Sequence, residues 1–312
     1  KRNRDTDYRF RQDSDFYYLS GFAEPEALIV LLPGRAEGEF LLFCRARDRT
    51  MEIWNGYRAG PEGAVRDFAA DQAHAIDELD ARLPDLLAGR QRIYAPMGVQ
   101  PEFDQRLSGW LNRVRAGARA GVRAPDALHL LDTALHPLRL RKSAAELAIM
   151  QRAADLSSAG HRRAMALAAP GRFEYELEAE LLHTFTRNGC PAPAYGSIVG
   201  SGANACILHY GENDRRMQDG DLVLIDAGGE LDHYAADITR TFPVNGRFSG
   251  PQRDLYEVVL AAQLAAIAAV KPGASWQMPH ETAVRILTRG LVDHGLLTGE
   301  VDGLIESGAF RR

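Results

Sequence analysis

A chain of 312 residues, 46% of them hydrophobic, is long enough to fold as two domains with separate cores. Its formal net charge of −5 argues against a nucleic-acid-binding protein, which would usually present a basic face. No apolar run approaches the length of a membrane span, and the three cysteines fit no zinc spacing, so we expect reduced thiols in a cytoplasmic protein. The sequence begins at Lys1 rather than Met, which is compatible with a removed leader or a truncated chain.

The first part of the chain, up to about residue 135, has an α/β pattern. Short apolar or aromatic runs bounded by glycine, proline or polar residues are typical of buried strands. We predict a helix over about 75–87. The predicted strands are 16–19, 27–32, 40–44 and a short one near 93–94.

A domain boundary is predicted near His136-Pro137, giving domains of residues 1–137 and 138–312. Ser143 and Glu146 then form a capping-box pattern that begins a helix extending to about Leu167. Helices followed by strands and again by helices predict an α+β second domain. The further helices expected are 175–187, 251–270 and 279–294, and the strands are 195–200, 221–226 and 234–242.

Two aspartates on neighbouring predicted strands are the strongest chemical signal. Asp226 ends an apolar strand and Asp237 lies within the next, and a hairpin centred on Leu231-Asp232 would place them directly opposite each other. Two facing carboxylates repel, and bound divalent cations would remove that conflict. The alternative is that one aspartate belongs to a turn and the other caps a backbone group. Spacing alone leaves both interpretations open. A lone histidine such as His209 is more often an ordinary surface or core residue.

Three segments of the second domain form a recognisable set of motifs. They are Ile-Leu-His-Tyr at 207–210, Asp-Gly-Asp-Leu-Val-Leu-Ile-Asp-Ala-Gly at 219–228 and Asp-Ile-Thr-Arg-Thr-Phe-Pro-Val-Asn-Gly at 237–246. Together they resemble the bacterial Xaa-Pro aminopeptidase (aminopeptidase P) family. The resemblance also covers 14–22, 52–56 and 197–202, in chain order. It implies an α/β creatinase-like N-terminal domain and an α+β pita-bread metallopeptidase domain.

The resemblance also implies the chemistry. Asp226 and Asp237 would bind two divalent ions, usually Mn, with Asp237 shared between them, and His209 would be catalytic, stabilising the tetrahedral intermediate. A metal-bridged hydroxide would release the N-terminal residue from peptides with Pro in second position. Trp54 and Arg119 match residues that approach the substrate in family oligomers, so a homodimer or homotetramer is implied. The alternatives are ordinary packing for Trp54 and a solvated surface charge for Arg119, and for Arg119 the surface charge is favoured.

One departure from the family pattern concerns the remaining metal ligands. The resemblance implies a His and two Glu after a His-rich segment, and His280, His294 and the glutamates after Asp237 match none of them. The sequence is therefore interpreted as a C-terminally truncated fragment that is inactive alone, with an incomplete pita-bread domain. The rival functions are an Xaa-Pro dipeptidase within the same fold and a non-catalytic pita-bread binding module.

Overall fold

The chain divides into two units, the first reaching Ala148 and the second beginning at Ile149. The structure is a computed structural model that describes residues 2–311. The division falls within the helix Ala144–Leu167, whereas the sequence predicted a boundary near His136-Pro137. No helix within the described residues is both long enough and apolar enough to cross a bilayer.

The first unit combines helices with short strands. The strands are β1 (Leu28–Leu31), β2 (Phe40–Cys44), β3 (Gln72–Ala75), β4 (Arg92–Ala95) and β5 (Ala127–Leu130). A mixed sheet has the order β1-β2-β3, in which β1 and β2 are antiparallel and β2 and β3 are parallel. A separate parallel pair joins β4 to β5. The helices are α1 (Ser14–Ser20), α2 (Arg49–Asn55), α3 (Gly60–Phe68), α4 (Leu79–Leu87), α5 (Pro101–Ala116) and α6 (Asp132–Leu140).

The strand predicted at 16–19 is wrong, because these residues belong to helix α1. The Asp13 side chain accepts hydrogen bonds from the N–H groups of Asp15 and Phe16 at the start of that helix. Gly21 ends the helix in the left-handed conformation at φ 64°. The aromatic residues have strand propensity, but these two capping groups favour one short helix between them.

The long helix α7 (Ala144–Leu167) begins at the predicted capping box. Ser143 N–H donates to Glu146 Oε2 at 2.7 Å, and Glu146 N–H lies 3.3 Å from Ser143 Oγ. Each side chain therefore satisfies a backbone donor that the first turn of the helix leaves free. The helix ends at Leu167, as predicted.

The strands of the second unit are β6 (Ala192–Pro193), β7 (Ile198–Ser201), β8 (Leu222–Ala227), β9 (Gly229–Leu231), β10 (Tyr234–Ala235) and β11 (Ile238–Pro243). In the described residues they form two three-stranded antiparallel sheets, of order β10-β9-β6 and β11-β8-β7. The helices of this unit after α7 are α8 (Glu174–Arg187), α9 (Gly250–Ala269), α10 (Met278–Asp293) and α11 (Val301–Glu306).

Helices α7 and α8 share a core with one face of strand β8. Alternate β8 residues are buried, as expected for a strand with one covered face. The other face of β8, which carries Asp226, is less buried. The core residues at this contact include Ala153, Ala164, Leu177, Leu181, Phe185, Val223, Ile225 and Ala227.

Candidate active site

The hairpin that follows Asp226 turns at Asp232-His233, not at the predicted Leu231-Asp232. Both turn residues have positive φ, 47° and 66°, as a two-residue type I′ turn requires. Tyr234 accordingly pairs with Leu231, and further along the hairpin Asp226 pairs with Thr239. The predicted direct opposition of the two aspartates is therefore wrong. The sequence offered no Asn-Gly or Asp-Gly pair that would have located the turn.

Asp226 and Asp237 are diagonal neighbours on one face of the hairpin. The register places Ile238 opposite Ala227 and Ala235 opposite Glu230, so Asp237 lies opposite Gly228. Asp226 and Gly228 are two residues apart on one strand and so share a face. Gly228 is also the single residue between β8 and β9. Because Gly228 is a glycine, it adds no side chain to this face beside the two carboxylates.

The phenol of Tyr195 joins the two carboxylates. Its hydroxyl makes a very short hydrogen bond to Asp226 Oδ1 and lies 3.1 Å from Asp237 Oδ1. Both oxygens are therefore within hydrogen-bond distance of one atom. Burial, with the two carboxylates beside it, raises the pKa of Tyr195 well above its ordinary value, so the phenol keeps its proton.

A bulge in the neighbouring strand brings Tyr195 to this position. Pro193 pairs with Gly229 and Ile198 pairs with Asp226, so residues 194–197 span the distance that Ala227 and Gly228 cover on the partner strand. The extra residues bend the strand at this point. The prediction from sequence missed Tyr195, since its position between a proline-containing segment and Gly196 has no meaning until the strand pairing is known.

The carboxylate and phenol oxygens at this site are of a type that binds divalent cations, but they are fewer than one ion usually needs. Carboxylate and phenol oxygens are hard ligands of the type that Mg²⁺, Ca²⁺ and Mn²⁺ prefer. Across residues 2–311, neither Asp226 nor Asp237 belongs to a group of three His, Cys, Asp or Glu side chains close enough to hold one ion. Asp15, Asp132 and His136 do form such a group in the first unit, but the Arg139 guanidinium already pairs with Asp15 there.

His209 is exposed in a loop that two buried side chains anchor. The fully buried Glu174 carboxylate accepts hydrogen bonds from Ser201 N–H and Oγ–H, from the Tyr210 hydroxyl at 2.8 Å and from Arg215 N–H. The buried Asn213 side chain bonds to the backbone of β7 at Val199 and of the preceding Ser197. Among the hydrogen bonds described for residues 2–311, none joins His209 to either aspartate.

Trp54 and Arg119 belong to the first unit, whereas the carboxylate pair belongs to the second. Trp54 is 80% exposed on α2. Arg119 is exposed in a short 3-10 turn after α5. Neither side chain is needed to fill the core of its own unit.

We expect Tyr210 to make the stability of the fold sensitive to alkaline pH. Burial, followed by its hydrogen bond to Glu174, raises the pKa of Tyr210 to about 12, against about 10 for an unfolded tyrosine. The native state thus binds this proton more tightly than the unfolded state does. The contribution of this proton to stability is complete below about pH 10 and is lost as the pH rises toward about 12.

Between about pH 10 and pH 12, we expect the free energy of unfolding of Tyr210→Phe, measured in urea, to fall less steeply with pH than that of the wild type. Equal slopes for the two proteins would contradict the assignment.

Tyr195→Phe is expected to lower the free energy of unfolding by about 1–2 kcal/mol when a chelator is present. The variant keeps the ring but leaves the Asp226 and Asp237 carboxylates without their shared donor. Urea titrations of the chelated proteins measure the difference. Tyr175→Phe is the matched control, because the Tyr175 side chain is 48% exposed. A loss of the same size in both variants would show that the bridge contributes nothing.

Comparisons with known proteins identify the family of this chain. The profile of metallopeptidase family M24 matches residues 148–304, and that of the aminopeptidase P N-terminal domain matches residues 1–94. Xaa-Pro aminopeptidase of Haemophilus influenzae is 45% identical over all of this chain and 70% of its own length. Its Escherichia coli counterpart is 43% identical over 99% of this chain and 70% of its own length.

Solved structures give the same result. Pseudomonas aeruginosa aminopeptidase PepP superposes with a TM-score of 0.96 at 54% identity, covering 99% of this chain and 70% of that one. A zinc-substituted E. coli aminopeptidase P in complex with product superposes with a TM-score of 0.94 at 43% identity, with the same coverage. The fold and the family matches thus define a metallopeptidase of the pita-bread class. Within that class, the chain belongs to the Xaa-Pro aminopeptidase (aminopeptidase P) branch of family M24. The expected creatinase-like and pita-bread architecture is confirmed.

Proposed function

We propose that this protein is an Xaa-Pro aminopeptidase, a hydrolase that releases the N-terminal residue from peptides whose second residue is proline. The observation that carries the proposal is the convergence of Asp226 and Asp237 on the Tyr195 hydroxyl, in a chain of this family. Two acidic side chains held so close need a compensating positive charge when both are ionised.

Asp226 and Asp237 are the proposed metal ligands, and Mn is the proposed metal. When bound, a pair of divalent ions supplies Lewis acidity and lowers the pKa of water at the site. The protein's own part is to hold two carboxylate oxygens on one face of a hairpin, where both lie beside the Tyr195 hydroxyl. Tyr195 keeps its proton and donates it in a hydrogen bond to these oxygens, which limits the directions they can face.

His209 is proposed to donate a hydrogen bond to the oxyanion that develops at the scissile carbonyl. Donors fixed in advance stabilise such charge best, because they need no reorganisation during the reaction. The loop around His209 has this property, since Glu174 fixes Tyr210 on one side and Asn213 fixes the strand next to it. The exposure of His209 leaves its imidazole free to meet a substrate.

Trp54 and Arg119 are proposed to contact the substrate from another copy of the chain, in a homodimer or homotetramer. An indole that is 80% exposed on a short helix supports this for Trp54, because large aromatic side chains are enriched where proteins meet ligands or partners. A cytoplasmic location is also proposed. It is supported by three free cysteines, Cys44, Cys190 and Cys206.

Substrate length and sequence test the assignment. In the presence of Mn²⁺, we expect release of the first residue from a tripeptide with proline in second position. The same tripeptide with alanine in second position should release far less, and so should the Xaa-Pro dipeptide. Mass spectrometry of the freed residue detects slow turnover. Preference for the dipeptide would instead indicate an Xaa-Pro dipeptidase, and equal cleavage of the alanine peptide would contradict proline specificity.

Turnover by residues 1–312 alone is expected to be slow. Catalytic metal sites usually have at least three protein ligands, as zinc enzymes show, and Asp226 and Asp237 are two. No third His, Cys, Asp or Glu completes a three-residue group with them in the described part of the chain. The same observation supports the second candidate, a pita-bread module that binds without catalysis. Rapid Mn-stimulated hydrolysis by this polypeptide would eliminate that candidate and refute the expected slow rate.

A further inference from the structure

Two polar side chains lie within the apolar core that helix α7 shares with strand β8. Ser157 is 0% exposed and His161 is 3% exposed, on the same stripe of α7 as the buried Ala153 and Ala164. A polar side chain in such a position costs stability unless it is hydrogen bonded. An alanine or a leucine would be enough to fill the core at these positions. The role of Ser157 and His161 must therefore lie in the hydrogen bonds that they make.

Both side chains bond to the backbone beside Gly228. His161 Nε2 lies 2.9 Å from the carbonyl oxygen of Ala227, which can only accept, so Nε2 carries the proton. Burial lowers the pKa of His161, consistent with a neutral ring. Ser157 Oγ accepts from Gly229 N–H at 2.9 Å and donates to Ala153 O at 2.8 Å. One helix thus holds the residue before Gly228 and the residue after it.

The backbone around Gly228 determines the distance between the Asp226 and Asp237 carboxylates. Gly228 separates β8 from β9, and the backbone oxygen of Ala236 approaches so closely that a Cβ on Gly228 would lie 1.8 Å from it. Asp226 lies two residues before Gly228, and Asp237 lies opposite Gly228. A small change in the backbone at Ala227 or Gly229 would therefore change the distance between the two carboxylates.

We propose that Ser157 and His161 are positioning residues, which fix the spacing of the Asp226 and Asp237 carboxylates by bonding to the backbone on either side of Gly228. The inference deepens the proposed function and rests on its metal site. It gives the two buried polar residues of α7 a role in the chemistry although neither touches a substrate.

Binding of Mn²⁺ to the 312-residue chain tests the inference by calorimetric titration. His161→Leu removes the Nε2 donor and should weaken Mn²⁺ association about tenfold. A tenfold loss is the lower end of the range for residues that orient metal ligands without binding the metal themselves. His161→Gln keeps an N–H at nearly the same reach and should restore most of the affinity. Ser157→Ala is the milder second variant, should His161→Leu fail to fold, and should weaken binding in the same direction.

A matched control separates positioning from general loss of stability. Thr184→Val removes a buried hydroxyl from the neighbouring helix α8, where it donates to Glu180 O of its own helix. This variant should lose stability yet bind Mn²⁺ like the wild type. Circular dichroism must show each variant folded at the titration temperature. Wild-type affinity in folded His161→Leu and Ser157→Ala would overturn the inference.

A metal-free measurement keeps the inference testable on its own. The Tyr195 hydroxyl proton, held between the carboxylates, should give a downfield NMR resonance that disappears in Tyr195→Phe. We expect His161→Leu and Ser157→Ala to shift or abolish this resonance, and Thr184→Val to leave it unchanged. If wild-type protein binds no Mn²⁺, the proposed metal site fails, while an unchanged resonance in both α7 variants would refute the positioning role independently.

Discussion

Gly228→Ala is expected to destabilise the second unit by about 3 kcal/mol or more, the upper range for overpacking. The added Cβ would lie 1.8 Å from Ala236 O and 2.4 Å from Ala236 C, distances at which the backbone itself must move. The segment that carries Gly228 is held on both sides, because Ala227 O accepts from His161 and Gly229 N–H donates to Ser157 of α7. We therefore expect the backbone at Ala236 to move, which would change the spacing of Asp226 and Asp237.

Urea unfolding, followed by circular dichroism, measures this loss. Gly303→Ala is the control, since a Cβ on Gly303 meets no atom within 4 Å and the residue lies inside helix α11. That substitution should be neutral or stabilising by up to about 1 kcal/mol, as alanine favours helices over glycine. If Gly228→Ala were as stable as the wild type, the close approach at Ala236 would not exist in solution.

Asp237→Asn and Asp226→Asn are each expected to reduce Mn²⁺ binding below detection in calorimetric titrations. Either change removes one of two anionic ligands and keeps the size of the side chain. In the metal-free protein the same changes should be neutral or slightly stabilising, because they remove the repulsion between two neighbouring carboxylates. A loss of metal binding without a loss of metal-free stability would distinguish a metal site from a purely structural role of the two aspartates.

Asp232→Asn provides the control for this pair. Asp232 belongs to the same hairpin but occupies the exposed turn at φ 47°, a conformation that asparagine also tolerates. It should bind Mn²⁺ like the wild type. Undiminished binding by Asp226→Asn and Asp237→Asn would remove the basis for the proposed peptidase.

The regular elements of the second unit could be predicted because local signals agree with the tertiary structure. The capping box at Ser143 and Glu146 places the start of α7 correctly, and apolar runs bounded by turn residues place β8. Helix α1 could not be predicted in this way. There, capping by Asp13 and Gly21 outweighs the strand propensity of the aromatic residues between them.

The sequence singled out two carboxylates of the candidate site but not their geometry. Asp226 and Asp237 stand out by position and by family resemblance, yet their diagonal relation depends on a type I′ turn at Asp232-His233, where two non-glycine residues both have positive φ. The bridging Tyr195 depends on a bulge between β6 and β7, and the contacts of Ser157 and His161 depend on how α7 packs. All three are tertiary features with no local sequence pattern.

The location of bound Mn²⁺ tests the central claim most directly. Crystals of this protein soaked in Mn²⁺ should show an anomalous scattering peak about 2 Å from carboxylate oxygens of both Asp226 and Asp237. Strong Mn²⁺ density that avoids both carboxylates, for example at Asp15, Asp132 and His136 of the first unit, would contradict the account.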